Sequence, residues 1–500
     1  MKIQNPPVDH LQSIINLYNQ GLLQQALSES NQMLERFPNS IVLYNIAGAS
    51  NLGLMQFDDA IDIYKQALKI KPDYAEAYYN MGVALKNKGN LEAAIDSYKQ
   101  ALKIKPDYAE AYNNMGNTLT DKDDLEAAIN SYKQALKIKP DYAEAYNNMA
   151  NALMGKDDLE AAIGSFKQAL KIKPDYAAAY NNMGNALTDK DDLEAAIDSY
   201  KQAIKIKPDY AEAYYNMGNI LNEKGNQESA IDAYKQALKI KPDYALAYYN
   251  MGAALNDKGD LDTAIDSFKQ ALKIKPDYAE AYNNMGAALN DKGDLDTAID
   301  SFKQALKIKP NYADAYINMG NALNDKGDLE ASIDRYKQAL KINPNYAEAY
   351  YNMGVSLNDK GNLKAAIDSY KQALKIKPDY AEANYNLSLL YLMRGNLDEG
   401  FKWHEWRLKI KKRTTTPART NFIWDGEQSL SGKHFVVYEE QGLGDIIQFC
   451  RYIPVLEQKG ADVTFKVKSN LHALLQTMDG KTCLNTSLPE ENKIDFESPL

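Results

Sequence analysis

Ten asparagines recur at a spacing of 34 residues: Asn80, Asn114, Asn148, Asn182, Asn216, Asn250, Asn284, Asn318, Asn352 and Asn386. A carboxamide carries two N–H donors and a carbonyl acceptor on one planar group. A row of them therefore has the chemistry to pair with the backbone of an extended peptide whatever its side chains, because every peptide unit also offers one donor and one acceptor. The same groups can equally tie neighbouring copies of a repeat to each other. A second set with chemical potential stands near the C-terminal end, where Gly442, Gly444 and Asp445 fall in the stretch EEQGLGD. Backbone N–H groups in such a loop, ahead of a helix, can hold an anion, and the aspartate can equally cap that helix.

The elements that must position the asparagines are read from one module, AEAYYNMGVALKNKGNLEAAIDSYKQALKIKPDY, residues 75–108, whose close copies fill most of the 500 residues. Each copy reads as two helices of about 14 residues. Asp107 is placed to cap the first helix of the next copy, with Glu110 reaching back three residues on. Tyr78, Met81, Gly82 and Leu85 lie at i, i+3, i+4 and i+7, one face of that helix. Gly89 suits a left-handed turn, Asn90 caps the second helix, and Leu91, Ala94, Ile95, Tyr98, Ala101, Leu102 and Ile104 are its expected buried face. Asp123, Asp157 and Asp191 replace the turn glycine in three copies. Each ladder asparagine stands roughly 100° from the apolar stripe, on a face that also carries Glu76, Glu110, Glu144 and Glu212 four residues before it.

Two such helices cannot bury their apolar faces alone, so successive copies must stack. The 34-residue period, with its Tyr, Gly, Ala, Tyr/Phe, Ala and Pro places, resembles the tetratricopeptide repeat over residues 41–380. The resemblance implies an all-α, right-handed superhelical solenoid whose first helices line the inner groove. The array also looks like that of the O-linked N-acetylglucosaminyltransferases, in which an asparagine ladder holds acceptor protein, and this implies a protein or extended-peptide partner for the ten asparagines. Residues 7–40 keep the period but lose its detail and read as an N-terminal capping repeat. Residues 381–413 read as a C-terminal cap and 414–423, TTTPART and its flanks, as a linker.

Residues 424–500 change character. HFVVY and ADVTFKV read as buried strands, and IIQFCRYIPVLEQKG and SNLHALLQTM as helices, an alternation expected of a parallel α/β sheet. WDGEQSLSGKHFVVYEEQGLGDIIQFCRY resembles the segment that joins tetratricopeptide arrays to heptosyltransferase-like glycosyltransferases in bacterial proteins. That likeness implies a short, incomplete Rossmann-like segment, with Asp445 as general base and Gly442 and Gly444 in a sugar or anion loop. Only about half of one lobe is present before Leu500, so the chain as given is expected to be inactive in sugar transfer, and a nucleotide-sugar is implied only if the enzyme reading holds.

Composition narrows the rest. A net charge of −10, with lysines and carboxylates interspersed along the module, argues against nucleic acid as the main partner. Cys450 and Cys483 stand outside the repeats without CxxC spacing, and His10, His404, His434 and His472 are scattered, so neither a metal site nor a resident cofactor is expected. No stretch approaches a membrane span, and the expected setting is the cytoplasm. Near-identical copies have complementary ends, which allows self-association by end-to-end stacking.

Overall fold

The computed structural model describes residues 6–410, 428–438, 450–467, 471, 475, 483–485 and 496–499. By compactness the chain forms two units, Met1–Gly293 and Asp294–Leu500. Both are built from the same helix pair, which runs from Val8–Asn19 with Leu23–Arg36 to Ala381–Met393 with Leu397–His404. In the module the first helix is Ala75–Asn87, 13 residues, and the second Leu91–Ile104, 14 residues. No helix among the described residues is long and apolar enough to cross a membrane.

The ends of the helices follow from local chemistry. Gly89 takes φ +87°, and Asp123, Asp157 and Asp191 hold the same left-handed turn at 65°, 61° and 65°. Asn90 caps the second helix by accepting from the Ala93 N–H at 3.4 Å, and Asp124 does the same for Ala127 at 3.2 Å. The first helix is capped differently from expectation. It starts at Ala109 after Tyr108, with no side-chain cap, because the Lys-Pro-Asp turn leaves Asp107 one residue too early. The Tyr108 carbonyl instead accepts from Ala111 at 3.0 Å and Tyr112 at 3.2 Å.

The buried faces also differ in detail from the sequence pattern. Ala77 and Ala84 are fully buried, as is Gly82, whereas Tyr78, Met81 and Leu85 are only half-buried. Small residues occupy the closest approach because Tyr98 of the second helix fills it; a Cβ built on Gly82 would lie 2.7 Å from that ring. Tyr132, Tyr200, Tyr234, Tyr336 and Tyr370 repeat the contact against a glycine, and each buried ring contributes about 1.5 to 3 kcal/mol. Ile104, expected inside, is 37% exposed at the helix end.

On the opposite ridge, lysines that follow the first helices bridge to carboxylates of the preceding copy. Lys122 meets Glu92 at 3.2 Å, Lys190 meets Glu160 at 2.5 Å and Lys258 meets Glu228 at 2.9 Å, all on exposed surface. At the C-terminal end of the array the second helix shortens to eight residues and passes into a 3₁₀ turn, Glu405–Lys409. Arg407 is 8% exposed and meets Glu405 at 2.5 Å.

Beyond the array, four short strands form one parallel sheet: β1 His434–Tyr438, β2 Asp462–Lys466, β3 Cys483–Asn485 and β4 Phe496–Pro499, in the order β3-β2-β1-β4. Phe435 and Val436 point to opposite faces of β1 and both are fully buried, which accounts for the unbroken apolar run HFVVY. His434 Nε2 and Thr464 Oγ1 join β1 to β2 at 2.9 Å. Of the expected first helix, the described residues form a 3₁₀ turn, Cys450–Tyr452, followed by Ile453–Gln458. Cys450, Ile453, Val463 and Phe465 share its core.

Candidate functional site

All ten ladder asparagines are half-buried on the first helices. Helix spacing puts each at i+4 from the residue that is glutamate in seven of the ten copies. What the sequence reading lacked was a packing partner for them, and the structure supplies one. Where the residue just before the preceding copy's ladder place is polar, the amide nitrogen of the ladder residue donates back to it. Where that residue is tyrosine the acceptor is a hydroxyl: Asn114 to Tyr79 at 2.8 Å, Asn250 to Tyr215 at 3.1 Å, Asn284 to Tyr249 at 3.0 Å and Asn386 to Tyr351 at 3.3 Å. Where it is asparagine the acceptor is Oδ1, as for Asn148 to Asn113 and Asn216 to Asn181, both at 3.2 Å. Asn80 reaches Asn45 in the same way at 3.3 Å.

In the asparagine copies the bonds join into one directed relay. Asn216 donates to Asn181, Asn181 to Asn182 at 3.4 Å, Asn182 to Asn147 at 3.3 Å and Asn147 to Asn148 at 3.3 Å. From Asn148 the relay continues through Asn113 to Asn114 at 3.4 Å and ends on the Tyr79 hydroxyl. Each amide from Asn181 to Asn114 both donates and accepts, so the bonds polarise one another. Asn113, Asn147 and Asn181 are 5 to 6% exposed, which makes their pairing obligatory.

A second acceptor row stands one turn further on. Tyr132, Tyr200, Tyr234 and Tyr336 donate to Asn117, Asn185, Asn219 and Asn321 at 2.7 to 2.9 Å. Three of those oxygens also receive a ladder amide: Asn185 from Asn216 at 3.1 Å, Asn219 from Asn250 at 2.8 Å and Asn321 from Asn352 at 3.0 Å.

The tyrosine copies have a different surface. Tyr79 stacks on Tyr108, Tyr215 on Tyr244 and Tyr249 on Tyr278, each with ring centroids 4.9 Å apart. Burial pushes the Tyr79 and Tyr249 hydroxyls above the usual phenol range, partly offset by the hydrogen bonds from Asn114 and Asn284. Both stay protonated and keep an O–H to donate. In these copies the ladder carbonyl is unused. Among the described residues nothing donates to Oδ1 of Asn80, Asn216, Asn250, Asn352 or Asn386.

At the N-terminal edge of the same face, the glutamates pair with the lysine that closes their own copy: Glu110 with Lys139 at 3.6 Å, Glu144 with Lys173 at 3.4 Å and Glu212 with Lys241 at 3.8 Å. No cluster of metal-ligating side chains is found among the described residues. Gly442, Gly444 and Asp445 lie outside the described residues, as do the linker 414–423 and most of SNLHALLQTM.

A family model for the tetratricopeptide repeat matches residues 56–89, 85–123, 320–358 and 356–395. These are tetratricopeptide repeats. A second model, for the C-terminal domain of cilia and flagella-associated protein 70, matches residues 108–309 of the tetratricopeptide array. A probable UDP-N-acetylglucosamine–peptide N-acetylglucosaminyltransferase, SEC of Arabidopsis thaliana, is 37% identical over 76 residues, which is 15% of this chain and 8% of that protein. The chain thus spans under a tenth of that relative's length. Among solved structures, MamA is 30% identical, covering 32% of this chain and 95% of its own, with a TM-score of 0.31. YrrB, described as a TPR protein with an unusual peptide-binding site, is 27% identical over 37% of this chain and 95% of its own, with a TM-score of 0.34.

Proposed function

We propose that the tetratricopeptide array is a protein-interaction scaffold whose ladder face holds an extended segment of another protein. The observation that carries the reading is the division of labour within each carboxamide. Its nitrogen is held by the preceding copy, so the group is oriented before any ligand arrives, and in five copies its oxygen is left without a protein donor. A fixed acceptor can take a backbone N–H with little loss of side-chain freedom. Beside Asn216 and Asn250 the Tyr215 and Tyr249 hydroxyls add donors for backbone carbonyls.

The test is Asn216→Ala with Asn250→Ala, read by fluorescence anisotropy of labelled extended peptides and by thermal melting of the same sample. Peptide affinity falls about tenfold or more, for two hydrogen bonds of about 1 kcal/mol each. The melt falls too, since both amides also bridge copies. A lower melting point with unchanged affinity would leave the ladder as packing alone.

A second reading is favoured by the parallel sheet. Its order β3-β2-β1-β4 places a reversal of strand order in the parallel sheet beside β1, the kind of switch point where open α/β sheets bind ligands. The stretch with Gly442, Gly444 and Asp445 follows β1 directly in sequence. In this Rossmann-like reading the array delivers protein acceptors to a glycosyltransferase-like lobe, in keeping with the short stretch of similarity to a peptide N-acetylglucosaminyltransferase. Isothermal titration with UDP-GlcNAc and with an ADP-sugar decides it: heat with either ligand supports a donor site, and none with both removes the enzyme reading for this chain.

A further inference from the structure

The face proposed to bind peptide is not uniform, and one copy breaks its charge pattern in a way that points to a ligand. At the place four residues before the ladder asparagine, glutamate stands in seven copies, Asp314 in one and Ala178 in one, but Leu246 stands before Asn250. Leu246 is 47% exposed, on the same helix face as Asn250 one turn away. The substitution also removes the carboxylate that faces a lysine in seven other copies. Lys275 occupies the place of Lys139, Lys173 and Lys241, which pair with Glu110, Glu144 and Glu212. Facing a leucine, Lys275 has no carboxylate partner among the described residues and lies over the Tyr278 ring at 4.6 Å. Leu246 and Lys275 flank the adjacent tyrosine copies, where Tyr215 stacks on Tyr244, Tyr249 stacks on Tyr278, and Asn216 and Asn250 keep free carbonyl oxygens.

We infer that this step of the array is the specificity position of the groove, and that it takes an extended peptide carrying an apolar side chain next to a carboxylate. The apolar side chain covers Leu246. The peptide carboxylate takes the place of the glutamate that seven other copies carry, forming an ion pair with Lys275 while the ammonium keeps its ring. The neighbouring backbone N–H groups meet Asn216 and Asn250 Oδ1. The inference rests on the peptide-binding reading of the ladder and adds to it a side-chain preference.

The experiment uses the full chain and four labelled serine-rich peptides that differ at a central pair: Leu-Asp, Leu-Asn, Ala-Asp and Ala-Asn. In the unmodified protein Leu-Asp binds about tenfold tighter than Ala-Asn, the scale expected for partial burial of one leucine and one exposed ion pair. Leu246→Glu installs the residue that seven other copies carry, so folding is retained, and it removes both preferences. Lys275→Gln removes the Asp preference and leaves the Leu preference. Unchanged Leu-Asp selectivity in Leu246→Glu, or no selectivity in the unmodified protein, overturns the inference. The ladder is scored separately on the Ala-Asn peptide. If the Asn216→Ala, Asn250→Ala variant binds that peptide as well as the unmodified protein does, the general peptide-binding reading fails instead.

Discussion

The first helices of residues 109–189 and those of residues 211–257 carry the same ladder asparagines and hold them by different means. In the earlier stretch Asn113, Asn147 and Asn181 bury their amides and pass hydrogen bonds along the ladder, so each ladder carboxamide both donates and accepts. In the later stretch Tyr215 and Tyr249 stand at the corresponding places, and the ladder carbonyls are left over. A single exchange, asparagine for tyrosine one residue before the ladder, therefore separates a face whose ladder carbonyls are taken from one whose ladder carbonyls are left over. Near-identity of sequence does not make the copies interchangeable, because a hydrogen-bond network is decided by its least common member.

The comparison is broken most directly at its buried links. Asn147→Leu should destabilise the protein by about 2 to 3 kcal/mol, because it leaves the Asn182 amide and the Asn148 carbonyl without partners. Tyr215→Phe should cost under about 1 kcal/mol, since Asn250 retains Asn219 at 2.8 Å. Urea unfolding of the two variants checks the pair, and equal costs would mean that the relay is no more coupled than the tyrosine copies.

A smaller, opposite effect is expected at a position the later stretch leaves short of a donor. Asn222 and Asn256 have buried Oδ1 atoms without hydrogen bonds, whereas Asn324 receives the Ser356 hydroxyl at 2.5 Å. Ala254 occupies the place of Ser356 in the copy that follows Asn222. Ala254→Ser should therefore stabilise by about 0.5 to 1 kcal/mol in the same unfolding assay.

The smallest effect concerns the exposed ridge, where the two stretches should agree. The lysine hydrogen bonds at Glu160 and Glu228, from Lys190 and Lys258, hold these carboxyls below their ordinary range. Lowered carboxyl values contribute stability above the unfolded carboxylate range, near pH 4.3, that is lost as pH falls through the lower folded values. A modest drop in melting temperature is expected on acidification from pH 5 to below about pH 4, with hydrogen exchange loosening alike in both stretches. Loosening confined to one of them would show that the ridges differ as well as the ladders.

The helix pair, its turn and the cap of the second helix were legible in the 34-residue period, because Gly89, Asn90 and the Lys-Pro stop act within a few residues of themselves. The first-helix cap was misread for the same local reason: Asp107 has cap chemistry, but the turn geometry moves the helix start to Ala109. In the C-terminal sheet β1 and β2 were legible as apolar runs, while β3 and β4, of three and four residues, are too short to show a pattern and are defined by their pairing with β2 and β1.

By itself the sequence determined the repeating helix hairpin, the stacking it requires and the ten asparagines on one face, since periodicity and capping are properties of neighbours along the chain. Tertiary structure alone decided which asparagine atoms are occupied. The partners of Asn114, Asn148, Asn182, Asn216 and Asn250 lie 35 residues away in the preceding copy. That separation is bridged only when helices stack, so no local pattern could assign the donors and acceptors that remain.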